Sequence, residues 1–138
     1  MTEQQAYDEL RCYTLGLHDA SFIHQHVVDA FTAQRADETT KAIALTFALV
    51  GLYLYIEKGI SGREIQQVHM DLARQKRVWP TFPLPQERGL ISATDIMAAP
   101  EGALREQAIH AWCTTVWEAF RESHQAVAGL VLQRRVKR

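Results

Sequence analysis

Apolar positions recur every three to four residues along most of the chain, which is the spacing of an amphipathic helix. The first stripe predicts a helix over Glu3–Leu15, ended by Gly16. The next stripe predicts a second helix, which Asp19 or Ser21 caps and which runs to Gln34. The chain is therefore predicted to begin with two helices.

The middle of the chain is more apolar than the two flanking parts. The segment Thr39–Lys58 is apolar all round in its centre, which is typical of a helix at the middle of a domain, and Gly59 is its predicted C-cap. Ser61 and Glu64 have the spacing of a capping box, so a fourth helix begins there. It has to end before Trp79, because the proline that follows disfavours helical geometry in that residue.

The last third of the chain contains a loop and two further helices. Three prolines in WPTFPLPQERG predict an extended loop. Ser92 and Asp95 repeat the capping pattern and predict a short helix over Ala93–Ala98, and a last helix is predicted over Glu101–Leu132. No segment alternates with period two. The pattern therefore predicts an all-α fold, a compact helical bundle of four to five main helices plus one short helix, with the Pro-rich loop before the short one.

Composition and charge restrict the class of protein. The 138 residues are 47% apolar and 22% charged, which fits one packed domain over residues 1–138. A net charge of -1 gives no field that would attract nucleic acid or an anionic membrane, so neither is expected as a partner. Cys12 and Cys113 are too few for a disulfide framework, and the first residues lack the pattern of a signal peptide, which together predict a cytoplasmic protein.

Histidines on the apolar helix faces are the main chemical signal. His69 lies between Ile65 and Leu72 on the inner face of the fourth helix, and His24 lies beside Val27 and Phe31 on the second. Buried imidazoles need partners for their ring nitrogens, and a transition metal such as zinc or iron is one such partner. We expect a metal site built from these residues together with one carboxylate: His24, Asp29 and His69.

Other side chains are weaker candidates for the same site. The two rings of an H-x-H pair on a helix point about 160° apart, so only one of His24 and His26 can be a direct ligand. Further candidate ligands are Cys12, His26 and Gln25. The alternative is that these are ordinary core histidines, satisfied by backbone carbonyls, Gln25 or Asp29.

Two further features concern partners. The aromatic loop residues Trp79 and Phe82 are candidates for a pocket mouth, although they can equally seal the end of the core. A second ridge on the last helix predicts a neighbour on that side, for which a second copy of the chain is the favoured choice. The ridge consists of His110, Cys113, Trp117, Phe120 and His124.

Several short runs of the sequence are shared with one known family. They are HQxxVDAFxxQ at 24–34, GLYL at 51–54 with ExG at 57–59, HM at 69–70, WP at 79–80 and ATDI at 93–96. Together they resemble a bacterial family of uncharacterised proteins, the domain-of-unknown-function family 5946, over about Leu10 to Phe120. The resemblance implies no activity, but it implies that His24, Gln25, Asp29 and His69 matter more than His26, His110 or His124.

The sequence therefore leaves two alternative functions open. The first is a small helical-bundle protein with a histidine and carboxylate metal site that acts on a small molecule, with the reaction undefined. The second is a non-catalytic helical binding or scaffold module with structural histidines, dimeric through the last helix. Whether the protein is an enzyme stays open at this point.

Overall fold

A computed structural model describes residues 1–75 and 78–136, with the backbone alone for residues 134–136. Within these ranges the chain forms seven α-helices and no strand, so the predicted all-α fold class is confirmed. The helices are α1 (Glu3–Gly16), α2 (His24–Gln34), α3 (Ala42–Lys58), α4 (Gly62–Ala73), α5 (Ala93–Ala98), α6 (Ala103–Ala119) and α7 (His124–Val136).

Local capping explains several of these boundaries. The backbone N–H of Glu64 donates to the Ser61 hydroxyl at 3.3 Å, and the backbone N–H of Ser92 donates to the Asp95 carboxylate at 2.9 Å. Both caps lie where the sequence predicts a helix start. Gly59 ends α3 with a φ of 65°, the left-handed conformation that a C-terminal glycine adopts without a steric penalty.

Helix α3 lies at the centre of the bundle and contacts α2, α4, α6 and α7. Its buried side chains include Leu45, Leu49, Val50 and Leu52, which belong to one apolar cluster shared by all the main helices. Removing one such side chain from water contributes roughly 1.5–3 kcal/mol to folding. In the described part of the chain, no helix has both the length and the hydropathy needed to cross a membrane.

The second and third helices begin later than predicted. The Asp19 carboxylate accepts from the backbone N–H of Ile23 at 2.9 Å, and this bond closes a turn instead of starting a helix. His18 and Phe22 in the same turn have φ values of 51° and 55°, which interrupt helical geometry. Helix α2 therefore starts at His24, and α3 starts at Ala42.

The single last helix predicted over Glu101–Leu132 is wrong, because the chain turns between α6 and α7. A short 3₁₀ turn covers Arg121–Ser123, and no proline or glycine marks it. The His124 Nε2 atom lies 2.8 Å from the carbonyl oxygen of Trp117, which also accepts from the backbone N–H of Phe120 at 3.0 Å. The turn directs α7 along α3 and buries Val127 and Val131.

The ridge proposed as a dimer face is covered within one chain. Cys113, Trp117 and Phe120 are all buried. Helix α2 covers Cys113, Tyr53 of α3 lies 5.9 Å from Trp117, and the Arg88 guanidinium lies 6.0 Å from the Phe120 ring. Within the described residues, the neighbours of these three side chains therefore belong to the same chain. A homodimer through the last helix stays a prediction.

Candidate functional site

The three predicted metal ligands lie on α2 and α4, and each contacts a different neighbour. His24 Nδ1 is 2.9 Å from the Thr14 hydroxyl, which itself donates to the Leu10 carbonyl at 3.1 Å. The tautomer of the His24 ring decides which of the two groups donates. Burial lowers the pKa of His24 below its ordinary value.

His69 is held by α3. Its Nε2 atom lies 2.8 Å from the Phe47 carbonyl oxygen, and its ring stacks on the Phe47 ring with centroids 4.9 Å apart. The predicted pocket residue Trp79 packs edge-on against the same Phe47 ring at 5.4 Å. The other predicted pocket residue, Phe82, is buried in the apolar core. Burial lowers the pKa of His69, so its imidazole is neutral in the folded protein near neutral pH.

Asp29 is the most deeply buried acidic residue of the site. It exposes 3% of its surface, and its Oδ1 atom accepts from Gln25 Nε2 at 3.0 Å. Its Oδ2 atom is buried and has no hydrogen-bond partner among the described residues. Burial raises the pKa of Asp29 well above its ordinary value, because a carboxylate without water is strongly disfavoured. Burial therefore favours the neutral carboxylic acid form of this side chain.

Glycine on the neighbouring helix makes room for this acid. A Cβ atom built on Gly51 of α3 would lie 1.8 Å from Asp29 Oδ2, so any larger residue there would displace the carboxyl group. Within the run GLYL at 51–54, Gly51 therefore provides space for the Asp29 carboxyl group because it has no side chain.

His26 lies one helical turn before Asp29, on the same side of α2. It exposes 4% of its surface, and its ring stacks face to face on Tyr55 with centroids 3.5 Å apart. Its Nδ1 atom is buried and, like Asp29 Oδ2, has no partner in the described part of the chain. Burial lowers the pKa of His26 to about 4, so the imidazole is neutral at pH 7. We refer to His26 and Asp29 as the buried pair.

Residues of α3 and α6 complete the surroundings of the buried pair. The Cys113 thiol donates to the His26 carbonyl oxygen at 3.5 Å, and burial, followed by the nearby Asp29, raises the pKa of that thiol. Tyr55 separates His26 from His110, whose ring meets Tyr55 edge-on at 5.3 Å. Exposure rises along this row, since His26 is buried, Tyr55 is half-buried and His110 is exposed.

The predicted ligands do not converge on one point. Within residues 1–75 and 78–136, no group of three or more His, Cys, Asp or Glu side chains is placed to hold a metal ion. His24 faces Thr14 of α1, His69 faces Phe47 of α3, and Asp29 lies against Gly51. Of the further candidates, Cys12 is exposed on α1, Gln25 bonds to Asp29, and His26 forms the buried pair.

Sequence reasoning missed two residues that fix α2 in place. Gln34 donates to the Ile91 carbonyl at 2.7 Å and accepts from the Trp112 indole N–H at 2.9 Å. The Arg88 guanidinium donates to three carbonyls near the end of α2, those of Ala33, Gln34 and Ala36. Gln34 ends the HQxxVDAFxxQ run and could have been singled out from it. Nothing in the sequence marks Arg88, which acts from the Pro-rich loop.

The fold and site define a helical-bundle protein with a histidine and an aspartate, His26 and Asp29, buried between α2, α3 and α6. The model of one protein family, described as a family of unknown function (DUF5946), matches residues 4–121. The chain belongs to this family, as the sequence predicts. No curated protein and no solved structure matches the chain.

Proposed function

We propose that this protein is a helical binding module whose ligand site is the buried pair, His26 and Asp29. One observation carries the proposal: His26 Nδ1 and Asp29 Oδ2 are both buried without a hydrogen-bond partner among the described residues. Leaving such an atom unpaired costs roughly 1–3 kcal/mol, so a ligand that pairs with both atoms recovers that cost. The other candidate histidines, His24 and His69, already contact a hydroxyl and a carbonyl.

The protonation of the pair defines the class of ligand. Burial favours the protonated form of Asp29, and because Oδ1 accepts from Gln25, the proton of that form lies on Oδ2 and is available to donate. The neutral His26 ring accepts at Nδ1 when its proton is on Nε2. A ligand that accepts from Asp29 and donates to His26 is a small neutral carboxamide or hydroxyl compound. A charged ligand would enter an apolar interior without a counter-charge, which is unfavourable.

Access to the buried pair runs past Tyr55. Its ring covers His26 on one side and contacts the exposed His110 on the other. A change in the Tyr55 rotamer opens the His26 ring to solvent without moving a helix, and such side-chain motions are fast compared with helix displacement. Tyr55 is therefore the gate of the proposed site.

A metal ion is the second candidate. The sequence predicts it at His24, Asp29 and His69, whereas the two unpartnered atoms favour His26 and Asp29 as its ligands. An imidazole nitrogen and a carboxylate oxygen are ligands for zinc and iron. A bound cation would remove the Asp29 proton and place a charge beside that oxygen, so binding would release protons and strengthen with pH. Water molecules would have to complete the coordination, because the described residues provide no group of three ligands.

The two candidates are separated by titrating the protein with acetamide and, independently, with zinc chloride, and following the backbone amide signals by NMR. For acetamide we expect saturable shifts in α2, α3 and α6 around Asp29, with a Kd of the order of millimolar for so small a ligand. His26→Phe should abolish these shifts. His24→Phe, which removes the imidazole already bonded to Thr14, is the matched control and should retain them.

The remaining outcomes decide against the binding module. Shifts caused by zinc alone, with a rise in Tm, would favour the metal site. Shifts caused by neither probe in the folded protein would overturn both candidates. A crystal structure with a single ordered water between His26 and Asp29, unchanged in acetamide, would also overturn the binding proposal.

A further inference from the structure

A groove of about 430 Å3 runs between α3 and α7, outside the site described above. Its walls are formed by residues of two helices, Tyr53, Leu54 and Lys58 from α3 and Gln125, Gly129 and Leu132 from α7. The volume falls within the roughly 300–1,000 Å3 of small-molecule sites. Helix α7 begins after residue 121, where the match to the family ends.

The middle of α7 leaves the groove open. Gly129 has no heavy atom within 4 Å of the position where a Cβ would lie, so the groove continues over its backbone. A glycine inside a helix is less favourable than alanine by roughly 0.5–1 kcal/mol, and here that cost coincides with an open space. Leu54 and Val131 are buried beneath this space, while Leu132 at its rim is 61% exposed.

One end of the groove carries a cation. Lys58 is exposed at the end of α3, with its Nζ atom 5.9 Å from the Tyr53 ring centroid. The adjacent Glu57 carboxylate is directed elsewhere, since it accepts from the Trp117 indole N–H at 2.6 Å and lies 3.8 Å from His124 Nδ1. Among the ion pairs of the described residues, none involves Lys58.

We infer that this groove binds a small amphipathic carboxylate. The apolar chain would lie over Leu54, Gly129 and Leu132, and the carboxylate would meet the Lys58 ammonium group, with the Gln125 amide as a second donor. Apolar walls with one cation at the end complement such a molecule and do not complement a neutral sugar or a cation. The inference is independent of the buried pair, because it uses other residues of α3.

Titration calorimetry with decanoate and with decan-1-ol tests the two halves of this inference separately. Lys58→Gln should weaken decanoate binding about two- to fivefold, which is the effect of losing one exposed charge contact, and leave decan-1-ol unchanged. Leu132→Gln should weaken the binding of both compounds. Leu104→Gln is the matched control, since Leu104 is 58% exposed on α6 and outside the groove, and it should change neither.

A second variant fills the groove. Gly129→Leu adds a helix-favouring side chain in open space, so the protein should stay folded while decanoate binding is lost. Decanoate binding that is equal in the wild type and in the folded Gly129→Leu variant would overturn the inference. It would also be overturned if sedimentation gave a dimer that Leu132→Gln dissociates, with no decanoate bound, because a second copy would then occupy the groove.

Discussion

The carboxyl group of Asp29 occupies the space that a side chain on Gly51 would fill, with Oδ2 only 1.8 Å from the position of the missing Cβ. The two residues lie on different helices, α2 and α3, at their contact. This one relationship explains why a glycine is tolerated in the most apolar helix of the chain, and why the acid can be enclosed there.

Gly51→Ala should destabilise the protein even though alanine is the better helix former. Forcing a methyl group against the Asp29 carboxyl costs about 1–3 kcal/mol, which exceeds the roughly 1 kcal/mol gained in helix propensity. Urea unfolding measures the difference. Gly129→Ala, at the helical glycine that faces open space, is the control and should stabilise the fold. A Gly51→Ala variant more stable than wild type would contradict this contact.

The same contact predicts a coupling between the two positions. Asp29→Ala removes the atom that the new methyl group meets, so Gly51→Ala should cost less in that background than in the wild type. The interaction free energy from the double-mutant cycle should be about 1 kcal/mol or more. Strict additivity of the two changes would mean that the groups are not in contact.

The raised pKa of Asp29 predicts a loss of stability toward high pH. Its pKa is raised in the folded protein, so the unfolded chain releases this proton first, from its ordinary value of 3.8 upward. The free energy of unfolding then falls as the pH rises from 3.8 to the raised pKa. Asp29→Asn cannot ionise, so its stability relative to wild type should increase over that pH range. If the difference in free energy of unfolding between the two proteins were the same at pH 4, 5.5 and 7, a raised pKa would be contradicted.

His26 predicts the opposite slope on the acid side. Its pKa is lowered from 6.5 to about 4 in the folded protein, so the unfolded chain takes up the proton first as the pH falls. The contribution of His26 to the free energy of unfolding is fully present above pH 6.5 and is lost toward pH 4. The loss is about 2 kcal/mol between pH 7 and 4.5. Urea unfolding of His26→Phe should lack this loss. Val27→Ala, a destabilised core variant without a titratable change, should retain it.

Arg88 connects the Pro-rich loop to the end of α2, where carbonyl groups lack helical partners. Arg88→Lys should destabilise the fold by about 2 kcal/mol, because an ammonium group cannot reproduce a planar guanidinium that donates to several carbonyls and to Pro85 at once. Thermal unfolding checks this, with the exposed Arg35→Lys as the control. Equal Tm values for the two variants would show that the Arg88 bonds contribute nothing.

The sequence predicts those parts of the fold that depend on neighbouring residues. The Ser61 and Ser92 caps, the Gly59 helix end and the apolar centre of α3 follow from local chemistry, and the structure contains all of them. The turn after α6 depends instead on how Trp117 and His124 pack against α3, which no local signal encodes. The sequence pattern therefore predicts a neighbour for the ridge without showing that the same chain buries its centre.

The candidate site was predictable only in part, for the same reason. Spacing places His26 and Asp29 on one side of α2, but the glycine that makes room for Asp29 is on another helix, and the ring that covers His26 belongs to Tyr55. Helical periodicity alone favours His24 and His69 as ligands of a metal site. Their partners, Thr14 and the Phe47 carbonyl, become apparent only in three dimensions.

Binding of a neutral ligand at Asp29 is tested most directly by the ¹³C signal of its carboxyl group, recorded by NMR at pH 7 with increasing acetamide. We expect a signal at the position of a protonated acid that moves saturably as acetamide accepts from Oδ2, and that no longer moves in His26→Phe. A signal at the position of an ionised carboxylate, or one that acetamide leaves unmoved, would contradict such binding.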